Sequence, residues 1–173
     1  MITIISGTNR PDSNTENIAS NIQHLAEKQG IKAINLSLKE LPDAFMNPSH
    51  YGNPPESFSQ ILKERIESVD RFIFILPEYN GSYPGIAKLF LDVIHPKTWQ
   101  GKKAALVGVS TGRAGNLRGL DHFAAVLNYL KMEVYSQKIP LSQVHENLDS
   151  DGVLSNPEYT ELLTKQIESL KTF

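Results

Sequence analysis

Three short stretches of this chain gather side chains suited to holding an anionic ligand with a flat polar edge. The first is Gly7-Thr8-Asn9-Arg10-Pro11-Asp12-Ser13-Asn14-Thr15. Thr8, Ser13, Asn14 and Thr15 supply hydroxyl and amide donors, and Arg10 supplies a planar fork that matches phosphate oxygens in pairs. A helix starting here would add free backbone N–H groups and the positive end of its dipole. Neither a Gly-x-x-x-x-Gly-Lys loop nor a Gly-x-Gly-x-x-Gly fingerprint occurs, so triphosphate and dinucleotide loops of those types are excluded. Two plainer roles compete. Ser13-x-x-Glu16 reads as a capping box, and Arg10 can pair with Asp12 on the surface.

The second stretch is Pro77-Glu78-Tyr79-Asn80-Gly81-Ser82-Tyr83-Pro84-Gly85. Its prolines and glycines set an unusual backbone path, its tyrosines can wall a flat aromatic ligand, and its amides can meet a polar edge. A plain turn with exposed tyrosines is the alternative. The third, Ser110-Thr111-Gly112-Arg113-Ala114-Gly115-Asn116, has glycines that allow backbone to approach a ligand and an Arg113 that can balance negative charge. An ordinary strand-to-helix loop would look much the same.

Other chemistries lack their residues. With no cysteine, the chain has no disulfide framework, cysteine zinc site, iron–sulfur cluster or thiol nucleophile. His24, His50, His95, His122 and His145 show no metal-ligand spacing and read as surface or capping residues; no metal is expected. Asp149-Ser150-Asp151-Gly152 lacks the downstream ligands of a calcium loop and reads as a turn. No Gly-x-Ser-x-Gly elbow seats a hydrolase nucleophile. Seventeen basic against nineteen acidic residues leave a net charge of −2, so there is no broad basic field for nucleic acid or a membrane surface. No apolar run approaches the ~18 residues of a membrane span, and the start, Met1-Ile2-Thr3-Ile4-Ile5, is too short for a signal peptide; the chain reads as cytoplasmic. Its 173 residues predict one domain spanning 1–173.

Alternating elements must position the three stretches. Ile2 to Ser6, Lys32 to Leu36, Arg71 to Leu76, Ala104 to Val109 and Met132 to Tyr135 read as strands. Ile18, Ile22, Leu25 and Ala26 recur at helical spacing, with Gly30 ending that helix. Phe58, Ile61, Leu62, Arg65, Ile66 and Val69 mark a second helix, Pro84 to Ile94 a third, and Leu120, Phe123, Ala124 and Leu127 a fourth. Asn156-Pro157 caps a fifth, which carries Tyr159, Leu162, Leu163, Ile167 and Leu170. Trp99 should pack at the mouth of the fourth strand. Residues 39–57, with four prolines, read as a long loop and a mobile flap near the site. Five strands alternating with five helices give an α/β fold, a parallel sheet covered on both faces. Ligands in such sheets sit beyond the strands' carboxyl ends, where all three stretches fall.

At these loops the sequence resembles the NADPH-dependent FMN reductase family of flavodoxin-like proteins, which includes quinone, azo-dye and chromate reductases. The family's Gly-Ser/Thr-x-Arg and following Ser/Asn/Thr cluster is met by Gly7-Thr8-Asn9-Arg10 and Ser13-Asn14-Thr15. Its Pro-Glu-Tyr-Asn-x-Ser-x-Pro-Gly signature is met by residues 77–85, its Lys and Asp by Lys88 and Asp92, and its Ser-x-Gly-x-x-Gly by Ser110, Gly112 and Gly115. The resemblance implies a flavodoxin-like, five-stranded parallel sheet of order 2-1-3-4-5 and bound FMN. Thr8, Arg10, Ser13, Asn14 and Thr15 would hold the phosphate. Pro77, Glu78, Tyr79, Asn80 and Ser82 would line the isoalloxazine, and Ser110, Gly112, Arg113 and Gly115 would meet its other edge. It further implies hydride transfer from NAD(P)H through FMN to a small-molecule electron acceptor by ping-pong kinetics, with no catalytic side chain, in a homodimer or homotetramer. The rival is a flavodoxin-type electron carrier that does not oxidise nicotinamide.

Overall fold

β1 (Ile2–Ser6), buried along its whole length, lies between two parallel neighbours, β2 (Ala33–Ser37) and β3 (Arg71–Pro77). β3 pairs in turn with β4 (Lys103–Val109), so the sheet order is the expected one, 2-1-3-4-5. The structure, a computed structural model, describes all 173 residues. The single fifth strand expected from the sequence is two segments. β5 (Glu133–Val134) pairs with Lys103–Ala104, and β6 (Ile139–Leu141) pairs with Val107–Val109. Both lie along the outer edge of β4. Pro140 has no N–H to donate and is admissible there because β6 pairs on one side only.

Period two along β3 builds two cores. Phe72, Phe74 and Leu76 face one side with Ile5, Leu106, Phe90, Trp99 and Phe123, under α3 (Gly85–Val93) and α4 (Leu117–Tyr129). Ile73 and Ile75 face the other with Ile4, Val107, Ile18 and Ile167, under α1 (Asn14–Lys28) and α5 (Pro157–Thr172). Trp99 is fully buried where β4 begins, edge-on to Phe72, the partner of Ala104, with ring centroids 5.7 Å apart. Asn156 caps α5 as expected, accepting from the N–H groups of Glu158 and Tyr159. Asp149 closes a turn, accepting from the N–H groups of Asp151 and Val153. No helix is long and apolar enough to cross a membrane.

Two regions depart from expectation. The helix expected over 58–69 is α2 (Ser59–Leu62) running into a π-helical turn, Lys63–Glu67. Lys102 braces its end, donating to the carbonyls of Ile66 and Glu67 in the turn and of Val69 just beyond it. Burial of that ammonium pushes its pKa below the ordinary lysine value. Residues 39–57, expected as a long loop, are shaped by short helical turns. They form 3-10 turns at Asp43–Met46 and Pro48–His50, and Phe45 plunges into the core, 5.0 Å from Phe58 and 6.4 Å from Phe90 between ring centroids. One buried aromatic among prolines has no periodicity to announce it.

Candidate functional site

The loops after β1, β3 and β4 meet at the carboxyl edge of the sheet. They enclose a cleft of about 410 Å³ lined by Arg10, Pro11, Asp12, Ser13, Asn14, Thr15, Pro77, Glu78, Tyr79, Val109, Ser110, Thr111 and Val144. Sequence separation is large and spatial separation small, as the parallel topology requires.

Loop one turns immediately after Gly7, whose N–H donates to Ile75 O at 2.8 Å. A Cβ at Gly7 would stand 2.8 Å from that same carbonyl oxygen, so only glycine lets loop and β3 approach this closely. Ser13 caps α1, accepting from Thr15 N–H at 3.2 Å. The capping box itself is not made: the Glu16 N–H goes to Ser13 O, and the Glu16 carboxylate turns away to accept from Ser37 Oγ at 2.8 Å and to pair with Lys39 at 3.0 Å. Thr15 is buried, its hydroxyl 2.6 Å from both Ser6 Oγ and Ser13 Oγ. The N–H of Asn14, first residue of α1, finds no backbone acceptor and is available to an anion. Arg10 is exposed on the cleft and takes part in none of the chain's eight ion pairs, so the alternative Arg10–Asp12 pair is absent.

Thr8 does not line the cleft. It is fully buried and its hydroxyl meets Tyr79 OH at 2.8 Å, joining loop one to loop two. Loop two is a two-residue hairpin. Tyr79 and Ser82 exchange N–H···O bonds of 2.9 and 3.0 Å, and Asn80 and Gly81 between them have φ of 52° and 75°. Positive φ at both central residues is the demand that Asn-Gly satisfies in a tight turn twisting with its strands. The N–H groups of Asn80 and Gly81 have no backbone acceptor. Ser82 Oγ and His122 Nδ1 share a hydrogen bond of 2.9 Å, giving that histidine a role as a brace from α4.

Loop three is fixed by Ser110, whose hydroxyl donates to Gly112 O at 2.8 Å and accepts from Gly115 N–H at 3.0 Å. Gly115 is buried at φ 55° against Pro140, so its role is packing rather than contact with the cleft. Gly112 and Arg113 are exposed beside the cleft without lining it. Sequence reasoning missed Val144 and Asn116. Val144 arrives from a 3-10 turn after β6 and is held by Ser110 O at 3.0 Å; nothing local marks it. Asn116 Nδ2 donates to the carbonyls of Leu76 and Pro77 at 2.9 and 3.0 Å. A second cavity, about 320 Å³, opens on the other side of loop one between Asn9, Leu41, Met46 and Ile86.

The cleft can therefore bind an anion at the start of α1 and a flat group with acceptors against loop two. Comparison with known proteins agrees. Residues 1–146 match the family model described as NADPH-dependent FMN reductase. An NAD(P)H-dependent FMN reductase of Pseudomonas aeruginosa is 30% identical over 114 residues, 64% of this chain and 62% of that protein, so the match spans under two thirds of the relative. A 2-hydroxy-1,4-benzoquinone reductase of a Burkholderia species is 24% identical over 87% of this chain and 83% of its own length. Among solved structures, the flavoenzyme NAD(P)H:(acceptor) oxidoreductase of Paracoccus denitrificans superposes with a TM-score of 0.78 at 27% identity, covering 98% of this chain and 93% of that one.

Proposed function

The chain belongs to the NADPH-dependent FMN reductase family, and from that premise we propose that it binds FMN in the three-loop cleft and moves electrons from NAD(P)H to a small organic or metal-oxyanion acceptor such as a quinone. The observation that carries this reading is the unpaired N–H of Asn14 and the unpaired Arg10 on one cleft, with the free Asn80 and Gly81 N–H groups in the turn that continues its Pro77–Tyr79 wall. FMN is an anion joined to a flat ring with acceptors along one edge, and this donor set fits both ends.

Bound FMN supplies the hydride chemistry that protein side chains cannot. The chain's own residues bind and orient. Arg10, Ser13, Asn14 and Thr15 hold the phosphate, where the start of α1 adds its dipole. Pro77, Glu78, Tyr79, Asn80 and Ser82 line the ring, with Thr8 acting through the Tyr79 hydroxyl. Ser110 forms the third side, with Gly112 and Arg113 exposed beside it and Gly115 holding its loop from behind. No side chain acts as general acid or base in this reading. A single open face serves both substrates in turn, which gives ping-pong kinetics. This reading takes the working assembly to be a homodimer or homotetramer.

Stopped-flow mixing of the FMN-loaded protein with NADPH tests the reading. Fast bleaching of the flavin absorbance, followed by reoxidation on adding a quinone, is expected. Bound flavin that NADPH leaves oxidised would instead mark an electron carrier.

A further inference from the structure

We propose that Asn116 is a positioning residue for the flavin: its side-chain amide fixes the plane of the Pro77–Glu78 peptide and so the direction in which loop two offers its donors. The inference rests on the FMN reading above. Asn116 precedes α4 with φ 62°, in the left-handed region that Asn accepts better than most non-glycine residues, and it is 1% exposed. It stands where a helix N-cap stands, yet its side chain makes no capping bond to α4. It reaches back into the sheet instead, donating through Nδ2 to Leu76 O at 2.9 Å and Pro77 O at 3.0 Å.

The second bond matters most. The Pro77–Glu78 peptide is gripped at both ends, its C=O by Asn116 and its N–H by Val109 O at 2.9 Å. The next N–H, on Tyr79, closes the hairpin onto Ser82 O. The attitude of the whole turn, with the free Asn80 and Gly81 N–H groups, therefore follows from one peptide plane. Asn116 Oδ1 is buried without a partner. A buried acceptor left unsatisfied is costly, and the fold makes room for it: a Cβ at Gly119 would come within 2.1 Å of that oxygen. Packing and helix capping leave this amide unexplained; two carbonyls beside the cleft explain it.

Two variants test the assignment. Asn116→Gly keeps the positive φ and deletes the amide. Asn116→Asp keeps the shape but turns an acceptor toward two carbonyls. For Asn116→Gly we expect an apoprotein that melts below wild type, an FMN Kd raised about tenfold, and a shifted two-electron potential; each tenfold difference between the losses for oxidised and reduced FMN moves that potential by about 30 mV. For Asn116→Asp we expect weaker FMN binding than for Asn116→Gly at pH 8, recovering relative to wild type at pH 5, where a protonated carboxyl regains a donor. Lowered apoprotein stability with unchanged Kd and potential would show a structural role only and overturn the proposal. Where stability and Kd change together, an unmoved potential also overturns it. A wild-type chain that takes up no FMN overturns this inference together with the flavin reading, whereas wild-type binding with an indifferent Asn116→Gly overturns this inference alone.

Discussion

Two connections leave the carboxyl edge of this sheet with similar composition and opposite construction. The hairpin over 77–85 and the strap over 38–58 are both rich in proline and polar residues. The hairpin is held by polar pins: the Tyr79–Ser82 exchange, Tyr79 OH on Thr8, Ser82 on His122, and Asn116 beneath. The strap has polar pins only at its start, Lys39 on Glu16 and Glu40 on Arg65, and its middle is held by an apolar one, Phe45 between Phe58 and Phe90. Its remaining bonds over 46–51 are local, until Gly52 N–H reaches Asp92 O at 3.2 Å. Polar pins fix the orientation of every peptide they touch and leave chosen donors unpaired. An apolar pin fixes position alone. The hairpin thereby presents oriented, unpaired donors, whereas the middle of the strap is a packed cover.

The largest expected effect lies in the strap. Phe45→Ala empties a fully buried site in the larger core and should cost about 3–5 kcal/mol of stability. Urea unfolding reads this as a lower midpoint at an unchanged slope. The folded fraction should bind FMN as wild type does, because no cleft residue is lost. A comparable loss of FMN affinity at temperatures where the variant stays folded would mean that the strap helps to recognise after all.

Arg10→Ala comes next and should behave in the opposite way. Its fork makes no ion pair within the chain, so the apoprotein should melt like wild type. Charge-assisted bonds to a phosphate are worth about 1.5–3 kcal/mol, so FMN binding should weaken about 10- to 100-fold. A ligand present at 100 times its Kd stabilises by about 2.7 kcal/mol, and that increment should shrink in the variant. Unchanged FMN affinity would remove the phosphate assignment.

Gly81→Val is a smaller perturbation of the same apparatus. A β-branched residue at φ 75° is strained by about 1–2 kcal/mol, and its Cβ would stand 2.9 Å from an Arg118 nitrogen that can move aside. Where the turn shifts to relieve that strain, FMN must restore it on binding, so affinity should fall by up to about 5- to 30-fold with the fold kept. A variant that binds FMN normally would show that the turn is not the flavin wall.

Sequence legibility follows the same division. Unbroken apolar runs gave away β1, β3 and β4 because a parallel strand covered on both faces needs nothing else. The geometry of the loops was legible because their residue types serve the backbone: Asn80-Gly81 for a tight turn, Gly7 for close approach, Ser13 for a cap. Features that depend on one long-range partner were not legible. Phe45 is a lone aromatic among prolines, Asn116 looks like an ordinary loop asparagine, and Pro140 argues against the edge strand it occupies. The π-helical turn was invisible too, because its apolar spacing from Phe58 to Val69 fits an α-helix equally well.

The smallest expected effect is an absence of change, and it sharpens the comparison most. Amide exchange reports the opening free energy of each hydrogen bond, or the lack of one. In the apoprotein Asn80 and Gly81 N–H have no backbone acceptor, and residues 46–51 have only bonds within their own turns, so both segments should exchange quickly against the slow amides of β3. FMN should separate them. Donors that bond to the flavin become protected, so Asn80, Gly81 and Asn14 should slow in its presence. Residues 46–51 line no part of the three-loop cleft and should exchange at the same rate with and without FMN. Slowing of 46–51 by FMN alone would place the strap inside the flavin site and dissolve the distinction between a polar wall and an apolar cover. Slowing only when a quinone is added to the reduced enzyme would leave the distinction standing, and would assign the neighbouring cavity of Asn9, Leu41, Met46 and Ile86 to the acceptor.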